Sequence, residues 1–155
     1  MLHPQGFIRR RLARADDEGA VLVEFALVFT LFIVLVFGMV DFGLGINAKT
    51  QITNAGREGA RLGTVTLDPI AVEDRVRESI ASLDDSLVVV TVACETPAGT
   101  PCSGSFPAGD LQNGTEGDSV VVTVDYTYDL ITPLPGFTGI GPDLALQSIT
   151  VMRIE

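Results

Sequence analysis

The sequence predicts an α+β protein: a long N-terminal transmembrane helix followed by a small lobe with one helix and an antiparallel three-stranded sheet. Three observations carry this. Gly19 to Val40, GAVLVEFALVFTLFIVLVFGMV, is an apolar run that holds a single acid, Glu24. Apolar and small residues keep a helical period beyond it, to about Leu62. After that come one amphipathic stretch and three β-branched stretches, separated by turn-rich segments. The expected organisation is a cytoplasmic leader over 1–19, an N-terminal helix over 20–63 that is transmembrane over about 20–40, and an extracytoplasmic α+β domain over 64–155.

The apolar run is long enough for a bilayer. At 1.5 Å per residue, Ala20 to Val40 makes a helix of roughly 31 Å, about the thickness of a hydrocarbon core. Arg9, Arg10, Arg11 and Arg14 precede it, whereas only Lys49 and Arg57 follow within the next 20 residues. Positive charge stays in the cytoplasm, which places the N-terminus inside and the rest outside. A cleaved secretory signal has similar ingredients, but its apolar core is about 7–15 residues and ends at a small-x-small site. Here the run is longer, and only Gly43-Leu44-Gly45 offers such a spacing. An uncleaved anchor is the other competing reading.

Charge and length exclude several functions. The net charge is −10 at pH 7, and beyond Gly19 six basic residues face 17 acidic ones. An acidic distal part has no footprint for phosphate, so no nucleic-acid partner is expected. With 155 residues, one membrane segment leaves room for one small domain and not for a large enzyme core.

Glu24 is the costly residue of the run. A carboxylate at the centre of a membrane helix costs about 2.5–3.5 kcal/mol on insertion scales, and less near an end. It is either a tolerated interfacial acid or a group with a partner.

Past Val40, Gly45, Ala48, Ile52, Ala55, Gly59 and Leu62 recur at steps of three and four, one face of a helix. Asn47, Gln51, Asn54, Arg57, Glu58 and Arg61 fall on the opposite side. Small residues at this spacing permit close backbone approach, either to another membrane helix or to the chain's own domain. Gly63 is the expected C-cap.

Thr64 to Leu67 is a connector, and Asp68-Pro69 is a cap followed by a first-turn proline. Val72, Val76, Ile80 and Leu83 form the apolar face of the second helix, with Glu73, Asp74, Arg75, Arg77 and Glu78 solvated; Asp84-Asp85-Ser86 breaks it. Leu87 to Cys94 is a strand. Glu95 to Ser119, rich in Gly, Pro, Ser, Thr and acids, is expected to be a long exposed loop. Ser119 to Leu130 alternates Val120, Val122, Val124, Tyr126 and Tyr128 with polar residues, the pattern of a half-buried strand. Ile131 to Pro142 is irregular, and Leu144 to Ile154 is the last strand.

Cys94 and Cys102 are the only cysteines, both on the outer side by the charge asymmetry. Compartment and even count favour a disulfide, which on the chain-entropy model stabilises by about 2–3 kcal/mol. No metal centre is expected, since the one His, at position 3, lies across the membrane from them. Asp110, Asn113, Glu116 and Asp118 offer oxygen ligands without EF-hand spacing and read better as a solvated loop. There is no G-x-S-x-G, no H-E-x-x-H and no external His, so neither enzyme activity nor a cofactor is expected. Asp41-Phe42-Gly43 lacks the phosphate loop and strand lysine of a kinase.

Gly19 followed by Ala20-Val21-Leu22-Val23-Glu24-Phe25 resembles the processing site of type IV prepilins of the Flp/Tad branch. With Asp41-Phe42-Gly43 and Asn54-Ala55-Gly56-Arg57-Glu58-Gly59-Ala60-Arg61, the segment is similar to the TadE-like family of minor pilins or pseudopilins, with Gly56 where Ala is usual. The likeness is strong over about 19–63. It is looser at Tyr126 with Tyr128, at Thr132-Pro133-Leu134 and at Met152-Arg153-Ile154-Glu155.

The resemblance implies cleavage between Gly19 and Ala20 by a prepilin peptidase, with Glu24 as the assembly charge that neutralises a neighbour's new amine. It implies as partners the major Flp pilin, other TadE/TadF-like subunits and the inner-membrane assembly platform. The location implied is the bacterial inner membrane, or the pilus after processing. The alternative is an uncleaved membrane-anchored extracytoplasmic binding module.

Overall fold

A computed structural model of the chain describes residues 6–80, 82–133, 136, 139 and 141–155, with side chains from Gly19 onward. In chain order the elements are α1 (Gly6–Thr66), α2 (Pro69–Ser79), β1 (Val88–Glu95), β2 (Ser119–Asp129) and β3 (Asp143–Arg153), with single 3-10 turns at Asp85–Leu87 and Leu111–Asn113. The chain is α+β, with a long apolar N-terminal helix, a second helix and a three-stranded antiparallel sheet. It forms two compact units, Met1–Val40 and Asp41–Glu155. The second half of α1 therefore belongs to the lobe rather than to a separate stalk.

Among the described residues, the first unit is helix alone. From Gly19 onward α1 is long and apolar enough to cross a membrane, and its apolar side chains there, such as Val21, Phe25 and Leu31, are exposed. Such a surface is unfavourable in water and suits lipid.

The second unit is built on the sheet, in the order β1-β2-β3. β2 is central and pairs Val90↔Val124 and Val92↔Val122 on one side, Val120↔Met152 and Val124↔Ser148 on the other. Its period of two sends Val120, Val122, Val124 and Tyr126 to one face, where all four are buried. Onto that face pack Ala48, Ile52 and Ala55 from α1, and Val72 and Val76 from α2. The seam tolerates almost no extra atoms. A Cβ on Gly59 would collide with Val76 Cγ2, and one on Gly63 would lie 2.9 Å from Val120 Cγ1 and 3.2 Å from Val72 Cγ2. The small-residue stripe thus seats the helix on its own lobe. Gly45, Ala48, Ile52, Ala55 and Gly59 are buried and Leu62 half-buried, and Gly56, Ala60 and Gly63 share the seat.

Gly63 does not end the helix. α1 runs on to Thr66, and the left-handed cap is Leu67, at φ 50°, whose N–H donates to Gly63 O at 3.2 Å. The absent side chain at Gly63 serves packing, so the cap moves to a residue that adopts a positive φ at a cost. Leu67 is partly buried against the core, which offsets that cost.

α2 begins as its sequence requires: the Asp68 carboxylate accepts from Ile70 N at 3.0 Å and Ala71 N at 3.4 Å, with Pro69 at the first position. It stops at Ser79, earlier than its apolar period suggests, and Ile80 and Leu83 reach the core from beyond the helix. Arg77 is gripped by Glu73 at 2.9 Å and Asp85 at 2.5 Å, and its guanidinium is raised above its ordinary pKa by these bonds, Asp85's first.

The segment between β1 and β2 is exposed over most of its length, as its composition predicts, but it is anchored to the core at a few points. Cys94 and Cys102 are joined, their Cα atoms 5.4 Å apart, and both are buried. Thr96 N donates to Thr100 O and Cys102 N to Cys94 O, closing a tight turn with Gly99 at φ 75°. Leu111 is fully buried, and Asn113 donates to Phe106 O and Pro107 O while accepting from Phe106 N. At the C-terminus, Ile154 N donates to Asp118 O and Gly117 N to Ile154 O, tying the chain end to this segment.

Two outcomes test the packing. Gly59→Val lowers stability by about 1–3 kcal/mol through overpacking against Val76, read as a lower thermal midpoint of the full chain in detergent, whereas Gly19→Ala, with nothing within 4 Å of its Cβ, leaves that midpoint unchanged. Cys94→Ser with Cys102→Ser lowers stability by about 2–3 kcal/mol, measured by denaturant unfolding against the oxidised protein.

Candidate functional site

Two carboxylates on α1, Glu24 and Asp41, have opposite surroundings. Glu24 is exposed on the apolar segment and has no ion pair or hydrogen bond among the described residues. The other polar side chain of that segment, Thr30, returns its hydroxyl to Ala26 O at 2.8 Å and so satisfies itself within the helix. Phe25 and Phe29, one turn apart, stack with ring centroids at 5.5 Å. Glu24 is left as the one uncompensated polar group of Gly19–Val40.

Gly19 and Ala20 are also exposed, with no heavy atom within 4 Å of a Cβ built on Gly19. The bond between them lies inside α1, so a peptidase that attacks it must unwind that turn. Glycine lowers the cost of unwinding by about 1 kcal/mol relative to alanine. Once cut, Ala20 would begin the helix and Glu24 would lie one turn in, where the N-terminal end of the helix dipole favours a carboxylate.

Asp41, the first residue after the apolar run, is 4% exposed. Its carboxylate accepts from Ile131 N at 3.2 Å and from the Thr132 hydroxyl, pinning the end of the β2–β3 connection to α1. Sequence reasoning noticed Asp41 only as part of a motif; its partners lie 90 and 91 residues away and left no local signal. Lys49 Nζ donates to Gln147 O on the β3 edge, a second long-range tie. Tyr128 lies near this corner. Its hydroxyl is buried without a hydrogen-bond partner among the described residues, and burial first, then the Asp41 charge, pushes its phenol above the ordinary value.

The oxygen-rich residues of the β1–β2 segment are used internally. Asp110 accepts from Gln112 N at 2.9 Å, and Asp118 accepts from Thr115 N and Oγ1 at 2.9 and 2.8 Å. Cys94, Cys102 and Asp118 cluster within 4.8 Å, but both sulfurs are already bonded to one another. Of the remaining residues singled out from the sequence, His3 and Leu134 lie outside the described residues, as do the side chains of Arg9, Arg10, Arg11 and Arg14.

Residues 19–61 match the family model described as TadE-like protein. The match covers the apolar segment, Glu24, Asp41 and most of the buried stripe, and ends before the sheet. No curated protein and no solved structure matches the chain.

Tyr128 gives a pH test. A phenol whose folded pKa is raised contributes stability that is present below the unfolded value, near 10, and is lost as pH climbs through the folded one. The unfolding midpoint should therefore fall more steeply above about pH 10 for the parent chain than for Tyr128→Phe. At pH 7 the Tyr128→Phe variant should be no less stable, because the hydroxyl it removes has no partner.

Proposed function

We propose that this chain, TadE-like over residues 19–61, is a minor pilin (pseudopilin) that acts in assembly of Flp/Tad pili and performs no catalysis. It is made as an inner-membrane precursor with its N-terminus in the cytoplasm and its lobe outside. A prepilin peptidase cuts it between Gly19 and Ala20. The released helix then packs beside the major Flp pilin and other TadE/TadF-like subunits at the inner-membrane assembly platform. The observation that carries this is Glu24, five residues after Gly19, exposed on an apolar helix with no partner among the described residues.

The mechanism is electrostatic matching. Cleavage creates an ammonium at Ala20. When helices pack with an axial offset, the Glu24 carboxylate of one subunit meets the ammonium of the next. Pairing removes two isolated charges from an apolar bundle, each of which would cost several kcal/mol alone. A subunit in the wrong register leaves both unpaired, so the pair also sets the offset. The second half of α1, glycine-seated on its own sheet, keeps its buried face out of this packing and presents the lobe as one piece.

A second reading keeps the leader and makes the chain an uncleaved anchored binding module. The exposed apolar residues on the outer sheet face, Val89, Ile149 and Val151, favour it.

Mass spectrometry of the mature N-terminus separates the two. The pilin reading expects a chain beginning at Ala20, and an intact leader in cells that carry the peptidase would overturn it. Glu24→Ala should leave cleavage largely intact and abolish incorporation into the pilus; Glu24→Gln, which keeps size but not charge, should behave likewise. Normal incorporation of either variant would remove the assembly role.

A further inference from the structure

The lobe carries apolar residues at one particular end of its sheet, and covalent distance fixes where that end lies. Ile131, just beyond β2, is 70% exposed, and Leu144, at the start of β3, is 49% exposed. Ile131 is held by Asp41, the residue directly after Val40. Adding one Cα–Cα step, the reach of an aspartate side chain and the hydrogen bond, Ile131 N lies no more than about 11 Å from the Val40 Cα. Leu144 Cδ2 approaches Gly45 to 4.0 Å of a built Cβ, and Gly45 is five residues, or about 7.5 Å of helix rise, past Val40. The polar layer of a bilayer is roughly 5–8 Å deep on each side of the hydrocarbon core. Phe42 and Ile46, on the same stretch of α1, are likewise exposed.

We propose that this end of the sheet, Ile131 and Leu144 together with Phe42, sits in the interfacial layer of the bilayer and gives the lobe its own contact with lipid. The proposal rests on Gly19–Val40 spanning the membrane and not on the pilin reading. The contact is continuous with the span, because the same helix that leaves the membrane at Val40 carries Asp41, which holds Ile131 in place. A buried carboxylate here has a purpose that packing does not explain: it fixes a connection whose first residue is apolar at the height where an apolar side chain gains from lipid.

The chemistry also sets a lipid preference. Asp129 and Asp143 are Cα partners at this end of the sheet, and both are exposed. The patch is apolar at its centre and acidic at its rim, so it fits a zwitterionic surface better than an anionic one.

The chain contains no Trp, so each single Trp substitution is an unambiguous reporter. The full-length chain is reconstituted into phosphatidylcholine vesicles doped with lipid brominated near the headgroup end of the acyl chain. Ile131→Trp and Leu144→Trp are compared with Val151→Trp, on the outer sheet face, and with Leu27→Trp, in the span. All four sites are exposed, so the larger ring fits. The expected result is quenching of Ile131→Trp and Leu144→Trp at least about twofold above that of Val151→Trp, with blue-shifted emission. Replacing part of the phosphatidylcholine with phosphatidylglycerol should lower it.

Quenching at Ile131→Trp no greater than at Val151→Trp, with Leu27→Trp strongly quenched, overturns the proposal while leaving the span intact. A blue shift that grows with protein density but is insensitive to brominated lipid assigns the patch to a second copy of the chain and also overturns it. Failure of Leu27→Trp to quench removes the span itself and the proposal with it. None of these readouts depends on cleavage or on pilus formation.

Discussion

The lobe depends on how closely the helix approaches the sheet. Gly59 stands where any side chain would strike Val76 of α2, and Gly63 where one would strike Val120 of the sheet and Val72 of α2, all fully buried valines. Dispersion and apolar burial fall off within fractions of an ångström, so the absence of two Cβ atoms is what brings the opposing surfaces into full contact. On the same helix Asp41 reaches Ile131 and Lys49 reaches Gln147, and the helix runs past Gly63 to Thr66.

The polar groups of α1 divide by whether this chain can satisfy them. Asp41 is buried and accepts two hydrogen bonds from residues distant in sequence, so its cost is met internally. Thr30 is satisfied by its own helix. Glu24 is exposed and unbonded among the described residues, and a carboxylate on a bilayer-length apolar surface calls for a partner from outside the chain. The proposed role in assembly follows from that difference, and the TadE-like match over residues 19–61 supports the same reading.

How much was legible in advance depended on the range of the signal. The strands were visible because alternation is local: Val120 to Tyr128 shows its buried face in its spelling, and β2 occupies nearly the expected span. The cap at Asp68 was visible for the same reason. Gly63 misled, because glycine both ends helices and permits close packing, and only its neighbours Val120 and Leu111 decide which. The segment from Glu95 to Ser119 was legible in part: it is mostly exposed, as its composition suggests. Its Gly, Ser and acidic residues gave no sign that Leu111, Asn113 and the disulfide anchor it to the core.

By itself, the sequence determined the apolar helix, the three strands and the pairing of the two cysteines, and its arginine-rich leader is the ground for the expected direction of the helix. These rest on periodicity, charge asymmetry and count, all of which are properties of neighbouring or enumerable residues. Only the tertiary structure decided that the small-residue stripe is turned inward onto the chain's own lobe, that Asp41 grips a connection 90 residues away, and that Tyr128 keeps a hydroxyl unpaired among the described residues. The physical reason is that packing and hydrogen bonding depend on which surfaces meet, and a spacing of three and four fits a neighbouring helix as well as it fits a sheet.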